Sequence, residues 1–268
     1  MASTLILTPN KTEMCGMYQL AKDLAKELNA DIRTKQDKLC DVFWLDYDTI
    51  ITFLYPMHKY GKIAKENLRK WICYNQGIPP VTKQYFPNFW RRQAMRYINW
   101  RNNATMKGAD EYWNVTEREQ KPRWVERKEL TEELKGMLLS RYGLKEDDNY
   151  FIYIGRTTDY KNFDKLKKMC QKLKIPLVYP PETMGMVRTP TDDDIHRLLS
   201  NAKALTTAST WEGYGRTVME AQALGIPVVC FDTGVHKKLV KKGFVVPNHN
   251  FEMFKDKVEK VWEVLKNG

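Results

Sequence analysis

Long apolar runs are missing from this 268-residue chain. None approaches the roughly 18–20 residues of a membrane-spanning helix, which argues against an integral helical membrane protein. The first ten residues show no secretory pattern, because Leu5-Ile6-Leu7 stops at Pro9. Cysteine is sparse and unorganised. The five cysteines, at 15, 40, 73, 170 and 230, are odd in number and never form Cys-x-x-Cys. That spacing argues against a disulfide framework or a zinc site and for a reducing compartment, the cytoplasm. Sequons at Asn103 and Asn114 carry no meaning there. Internal repeats and low-complexity linkers are absent as well.

Apolar residues make up 43 % of the chain and aromatics 12 %, the composition of a globular protein with a sizeable core. The length fits one large domain or two small ones. Net charge is +11 and uneven: residues 1–145 hold 25 Lys/Arg against 17 Asp/Glu, residues 146–268 hold 19 against 16. A basic first half suits an anionic partner such as a lipid surface, a phosphorylated acceptor or nucleic acid; solubility explains it equally well.

Hydrophobic patterning predicts strands at Thr4–Thr8, Asp41–Trp44, Thr49–Tyr55, Trp71–Tyr74 and Ala109–Val115. Helices are predicted at Tyr18–Leu28, Lys62–Lys70 and Phe89–Arg101, and from Thr116 onward. After a break near Tyr142–Asn149 the alternation restarts. Strands at Tyr150–Ile154, Pro176–Tyr179, Ala204–Thr207, Val228–Phe231 and Phe244–Val246 alternate with helices at Asn162–Leu173, Thr191–Asn201 and Phe251–Leu265. Strands alternating with helices imply parallel sheets covered on both faces. The expected fold is α/β, two Rossmann-like domains facing across a cleft. Ligands in such sheets bind at the carboxyl ends of strands.

The most informative stretch is Ser209-Thr210-Trp211-Glu212-Gly213-Tyr214-Gly215-Arg216-Thr217-Val218-Met219-Glu220, followed by Gly225-Ile226-Pro227-Val228-Val229-Cys230-Phe231. It reads as loop, helix start, helix, tight turn and buried strand. Amides near Gly213, Tyr214 and Gly215 can meet phosphate or sugar oxygens, and Glu220, two turns along, can take a ribose diol. An ordinary helix start with one buried glutamate has the same pattern. A second motif is Gly155-Arg156-Thr157-Thr158-Asp159-Tyr160-Lys161-Asn162. A fork-shaped guanidinium and a point-like ammonium five residues apart can neutralise a diphosphate; a solvated turn bearing two surface charges is the bland alternative.

Together these residues resemble retaining GT-B glycosyltransferases of family 4, the group 1 glycosyl transferases. The likeness is specific over about 150–246 and thinner over 1–145, where Thr4–Gly16 and Gly108-Ala109-Asp110-Glu111 match the family's opening and its Ala-Asp stretch. The resemblance implies that Arg156 and Lys161 bind the donor diphosphate, with Gly155 at the turn. It places Glu212 near the transferred sugar and Glu220 on the nucleotide ribose. Gly16 is the single glycine where the family usually pairs two. The resemblance implies an acceptor domain at 1–145, a nucleotide-sugar donor domain at 146–250 and a terminal helix, 251–268, packing back toward the first domain. No metal or resident cofactor is implied; the UDP- or GDP-linked sugar is a substrate.

The chain also departs from that family. Tyr74-Asn75-Gln76 stands where a histidine is common, and His58 is a lone substitute. Thr233-Gly234-Val235-His236-Lys237 lacks the usual acid. Asp46-Tyr47-Asp48 resembles the metal-holding Asp-x-Asp of another transferase fold, which the two-Rossmann pattern disfavours; Asp192–Asp194 reads as a helix cap. Phe86–Arg101 mixes arginines with aromatics and fits either a peripheral membrane face or a core-facing stripe. The expected activity is retaining, metal-independent hexosyl transfer to an unidentified acceptor, lipid- or polysaccharide-linked, by a cytoplasmic enzyme in peripheral contact with anionic membrane. No nucleic-acid partner is expected. The rival expectations are a basic nucleic-acid-binding protein with a degenerate transferase fold and a nucleotide-sugar epimerase.

Overall fold

The structure is a computed structural model that describes residues 4–8, 16–34, 37, 46–53, 55–67, 69–75, 109–114, 122–145, 147–179 and 191–266. The chain packs as two units, Met1–Glu119 and Gln120–Gly268. The expected Asp41–Trp44 strand, the Phe89–Arg101 helix and the helix start at Thr116 lie outside the described residues. Among the described residues no helix is long and apolar enough to cross a membrane.

The first unit contains β1 (Thr4–Thr8), α1 (Gly16–Leu28), β2 (Asp31–Thr34), β3 (Thr49–Phe53), α2 (Tyr55–Glu66), β4 (Lys70–Asn75) and β5 (Glu111–Asn114). The strands pair in parallel in the order β2-β1-β3-β4-β5. Leu5, Ile6 and Leu7 are wholly buried, as a central strand covered on both faces requires. Helix α1 turns Leu20, Ala21, Leu24 and Ala25 inward. β2, Asp-Ile-Arg-Thr, was not foreseen: it is an edge strand with one large apolar residue, so it carries no apolar run. α2 begins at Tyr55, earlier than expected, with Pro56 in its first turn, where an amide hydrogen is not needed. His58 falls in that same turn.

The Asp46–Asp48 motif precedes β3, at the end of the sheet away from the carboxyl termini. Tyr47 donates a 2.6 Å hydrogen bond to Asp31, and Asp48 lies 3.6 Å from Arg69. Asp110 serves the fold. It accepts the Trp71 amide at 2.7 Å and pairs with Lys65 at 2.6 Å, tying β4 to the start of β5.

The second unit contains α3 (Glu132–Tyr142), β6 (Phe151–Ile152), a 3-10 turn (Asp159–Lys161), α4 (Phe163–Lys172), β7 (Leu177–Val178), α5 (Asp192–Asn201), β8 (Ala204–Thr207), α6 (Arg216–Ala223), β9 (Val228–Phe231), α7 (His236–Leu239), β10 (Gly243–Val246) and α8 (Phe251–Lys266). Its sheet, also parallel, runs β10-β9-β8-β6-β7. Counted within each unit, both sheets have the doubly wound order 2-1-3-4-5. Alternate strand residues serve opposite faces. Ile152, Leu205, Val228 and Cys230 join Leu134, Leu138, Leu198 and Val218 in one core. Phe151, Val229 and Phe231 join Phe163, Leu166, Phe254 and Val258 in the other.

One part of the second unit differs from expectation. Residues 122–145 pack with it although they were counted with the first domain, because Leu134 and Leu138 of α3 enter its core. α3 escaped detection because Leu139 on its outer side is 56 % exposed, which blurs the apolar stripe. The terminal helix α8 commits Phe254, Val258 and Val261 to the second core. α5 carries the expected cap: Thr191 and Asp194 form a reciprocal capping box.

In the first unit α2 approaches β4 at Gly61, where a Cβ would lie 1.9 Å from the Trp71 indole. The indole is held by a 2.8 Å bond to the Thr52 hydroxyl and has no room to retreat. Gly61→Ala gains about 1 kcal/mol of helix propensity but overpacks this contact by roughly 1–3 kcal/mol. The expected outcome is a net fall in Tm in a thermal melt; a Tm at or above that of the parent would contradict this packing.

Candidate active site

In the second sheet β6 and β8 are neighbours whose following helices leave on opposite faces. α4, after β6, joins the core of Phe151 and Phe231; α6, after β8, joins that of Ile152 and Val228. The loops leaving the two strands therefore diverge at their carboxyl ends, the crevice where doubly wound sheets bind ligands. One loop is Gly155–Asn162, the other Ala208–Gly215. The two motifs singled out in the sequence are the two loops of this crevice.

Hydrogen bonds stitch them together. The Thr210 amide and hydroxyl both donate to the Tyr160 carbonyl, at 2.8 and 3.0 Å. The Asn162 side-chain amide donates to the Ala208 carbonyl at 3.0 Å. Asn162 sits at φ 50°, a left-handed conformation that asparagine adopts more readily than most residues, which accounts for its place after Lys161. The loop after β9 supports the second motif from below: the Thr233 hydroxyl accepts the Glu212 amide at 3.2 Å. Gly215, at φ 80°, begins α6 without a side-chain cap.

Lys161 and Glu212 form an ion pair across the crevice, with side chains only 13 % and 18 % exposed. Burial would push the Glu212 carboxyl up. The charge of Lys161, with the hydrogen bond from Lys161, holds it below the ordinary carboxylate value, so Glu212 is ionised near neutrality. Arg156 is exposed and donates one hydrogen bond, 3.1 Å long, to the Tyr160 hydroxyl. A guanidinium has five N–H groups, so most of its donor capacity is available to a ligand. Beside it Gly155 is exposed, with the Tyr153 hydroxyl 2.9 Å from where a Cβ would stand. Gly213 and Tyr214 are buried within the loop.

Glu220 differs from its expected state. It is wholly buried, and Arg123 grips it from Nε at 2.5 Å and from a terminal nitrogen at 3.1 Å. Arg123 also reaches Asp192 at 3.0 Å and lies over the Trp124 ring, which stacks on His196. Glu220 is therefore clamped and covered in this structure, not an open acceptor for a ribose. The clamp belongs to a strap, residues 122–130, fastened to α5 and α6. His196 meets the Glu126 carbonyl at 2.7 Å, Asn201 donates to the Lys128 carbonyl at 2.8 Å and Arg127 to the Leu224 carbonyl at 3.0 Å. A cavity of about 360 Å³ lies along this strap, lined by Arg123–Lys128, Asp193 and His196, and not at the paired loops.

Of the nine residues singled out, Gly155, Arg156, Lys161, Glu212, Gly213, Tyr214 and Gly215 lie on the two stitched loops. Glu220 lies one helix beyond them. Gly16 opens α1 in the first unit, and the loop before it falls outside the described residues. Sequence reasoning missed Arg123 and His236. Arg123 is 97 residues from its partner. The missing acid at 233–237 was the only signal pointing to the neighbourhood of His236. Cys73, Cys170 and Cys230 are buried, and burial pushes each thiol up to about 12, so none is a ready nucleophile.

Removing Arg123 would leave a carboxylate buried without a partner, at a cost of roughly 3–5 kcal/mol. Arg123→Ala should therefore lower Tm sharply, and adding Glu220→Gln should recover much of the loss. A double variant no more stable than the single one would refute the clamp.

Comparison with known proteins agrees with this architecture. Residues 182–264 match the family described as Glycosyl transferases group 1. No curated protein gives a significant match to the sequence. Among solved structures, a sucrose-phosphate synthase from Thermosynechococcus elongatus superposes with a TM-score of 0.65 at 12 % identity, over 98 % of this chain and 90 % of that one. WaaG, a glycosyltransferase involved in lipopolysaccharide biosynthesis, gives 0.59 at 11 % identity, over 97 % and 90 %. HepE from Anabaena, in complex with UDP-glucose, gives 0.53 at 13 % identity, over 98 % and 91 %. The chain thus has an α/β fold of parallel sheets matching that of GT-B glycosyltransferases.

Proposed function

We propose that this protein is a retaining glycosyltransferase of the family 4 type that moves a hexose from a nucleotide diphosphate sugar to an acceptor hydroxyl. The observation that carries the reading is the meeting of the two motif loops at the carboxyl-end crevice of the second sheet. There the loop bearing Arg156 and Lys161, two cations, is stitched to the loop that carries Glu212 and Gly213–Gly215 and leads into the uncapped start of α6. A diphosphate needs that combination of charge and oriented N–H groups. The family match over 182–264 supports it, and the UDP-glucose held by HepE makes UDP-sugars the first donors to test.

In this reading the bond between the anomeric carbon and the diphosphate oxygen breaks while Arg156, Lys161 and the loop amides take up the charge left on the diphosphate. No metal is required for that step. The acceptor oxygen bonds to the anomeric carbon on the face the diphosphate leaves, and its proton passes to a diphosphate oxygen, so configuration is retained. Glu212, ionised and paired with Lys161, accepts hydrogen bonds from the sugar hydroxyls. Glu220 takes the ribose once Arg123 yields its carboxylate. The first unit supplies the acceptor side, and its basic charge suits a lipid-linked or otherwise anionic acceptor at a membrane surface.

Binding is tested by thermal shift with UDP-, GDP- and ADP-sugars, since a ligand of the native state raises its Tm. Stabilisation by none of them would overturn the reading. With the donor in hand, Arg156→Ala should leave Tm unchanged, because the side chain is exposed. It should cut kcat more than it raises KM, by about 10- to 150-fold, the worth of one charge-assisted hydrogen bond. Lys161→Ala should cost at least as much activity and also lower Tm, because it strips Glu212 of its partner. Near-parental kcat in both variants would remove the diphosphate assignment.

A further inference from the structure

Beneath the Gly213–Gly215 loop lies a group that the mechanism above does not use. His236, the first residue of α7, is wholly buried. Its Nδ1 lies 2.9 Å from the Phe231 carbonyl oxygen. A carbonyl only accepts, so Nδ1 carries the hydrogen, and in the neutral ring Nε2 presents a lone pair. Nε2 has no hydrogen-bond partner among the described residues. It points at Gly215, where a Cβ would come within 2.5 Å of it. That glycine begins α6, an eight-residue helix with no side-chain cap. An orphaned ring nitrogen and an uncapped helix start thus abut the same residue.

We infer that His236 is a proton-holding positioning residue for the donor diphosphate: when the diphosphate docks on this loop and the start of α6, Nε2 takes up a proton. The inference rests on the donor-site reading above. In the free protein, burial pushes the imidazole's pKa down and keeps the ring neutral, against the pull of Glu212. The charged groups around it are Glu212 on the loop after β8, Lys161 on the 3-10 turn and Asp232 at the end of β9. Glu212 and Asp232 favour the imidazolium and Lys161 opposes it. On its own helix Lys237 is tied to Asp232 at 2.5 Å, and Arg216 opens α6 beside Gly215.

A diphosphate pairs with Lys161, cancels its repulsion and adds negative charge next to Glu212. Each change favours the imidazolium. A ring so charged, lying behind Gly215, offsets the diphosphate through the loop without touching it. Affinity for the donor then rises as pH falls between the bound and the free pKa of His236, by at most tenfold per pH unit for one proton. The Thr233–Lys237 segment, which lacks the family's acid, carries in its place a group that becomes cationic on demand.

The test is isothermal titration of the parent protein with UDP-glucose and with GDP-mannose near pH 7. Their phosphates are diesterified and do not titrate there. Titrations in buffers of different ionisation enthalpy report the protons taken up. The parent should take up close to one proton and bind more tightly at pH 6 than at pH 8. His236→Asn, whose amide can still donate to the Phe231 carbonyl, should bind more weakly with no buffer dependence, and His236→Gln should do the same. A merely structural histidine would lower affinity without changing proton uptake. Buffer-independent heats in the parent, or uptake that persists in His236→Asn, would overturn the inference and leave the donor-site reading intact. Absence of binding by the parent to either sugar nucleotide would overturn both.

Discussion

The candidate site depends on one topological constraint, the divergence of the chain at the carboxyl ends of β6 and β8. A right-handed crossover after each strand sends α4 to one face of the sheet and α6 to the other. The two loops must separate as they leave adjacent strands, and the crevice forms between them. Thr210, Asn162 and Lys161 then close its base, through the Tyr160 and Ala208 carbonyls and the Glu212 carboxylate. The position of the crevice is set by strand order; its chemistry is set by the residues placed on its two rims.

The two glutamates of the motif show how environment divides labour between identical side chains. Glu212 is partly exposed at the rim and shares a lysine, so its carboxylate is ionised and can be reached. Glu220 has no exposure, and a bidentate arginine satisfies it. A buried pair of this kind contributes little net stability but is costly to break from one side. Coupling a donor's ribose to Glu220 therefore means exchanging one set of charge-assisted bonds for another. Displacing Arg123 alone would leave its charge to Asp192, 3.0 Å away. That second carboxylate makes the exchange feasible, because neither charge need be stranded.

How much of this was legible in the sequence follows from how local each signal is. β1 and β9 were readable because burial on both faces demands a continuous apolar run, as Leu5–Leu7 and Val228–Phe231 provide. β2 was not, because an edge strand needs no such run. α3 was not, because only Leu134 and Leu138 of its residues are buried. Arg156, Lys161 and Glu212 were readable because each motif is contiguous, and the fold had only to bring two loops together. Arg123 was not, because an isolated arginine carries no mark of a carboxylate 97 residues away. His236, set between Val235 and two lysines, looks in sequence like a surface residue, and only the packing of the β9 loop under Gly215 makes it a buried one.

The buried groups of the second unit sort by whether their hydrogen-bonding capacity is met. Glu220, Asp194 and Tyr150 are satisfied: Glu220 by Arg123, Asp194 within the Thr191 capping box, and Tyr150 by the Leu198 carbonyl at 2.8 Å. Such groups specify the fold. His236 is only half met, and it stands behind Gly215, where α6 begins without a side-chain cap. Folding normally eliminates such deficits because each costs free energy. An orphaned ring nitrogen behind an uncapped helix start is more simply explained by a ligand than by a failure of packing. An anion at the start of α6 answers that deficit, as a counter-charge for the protonated ring.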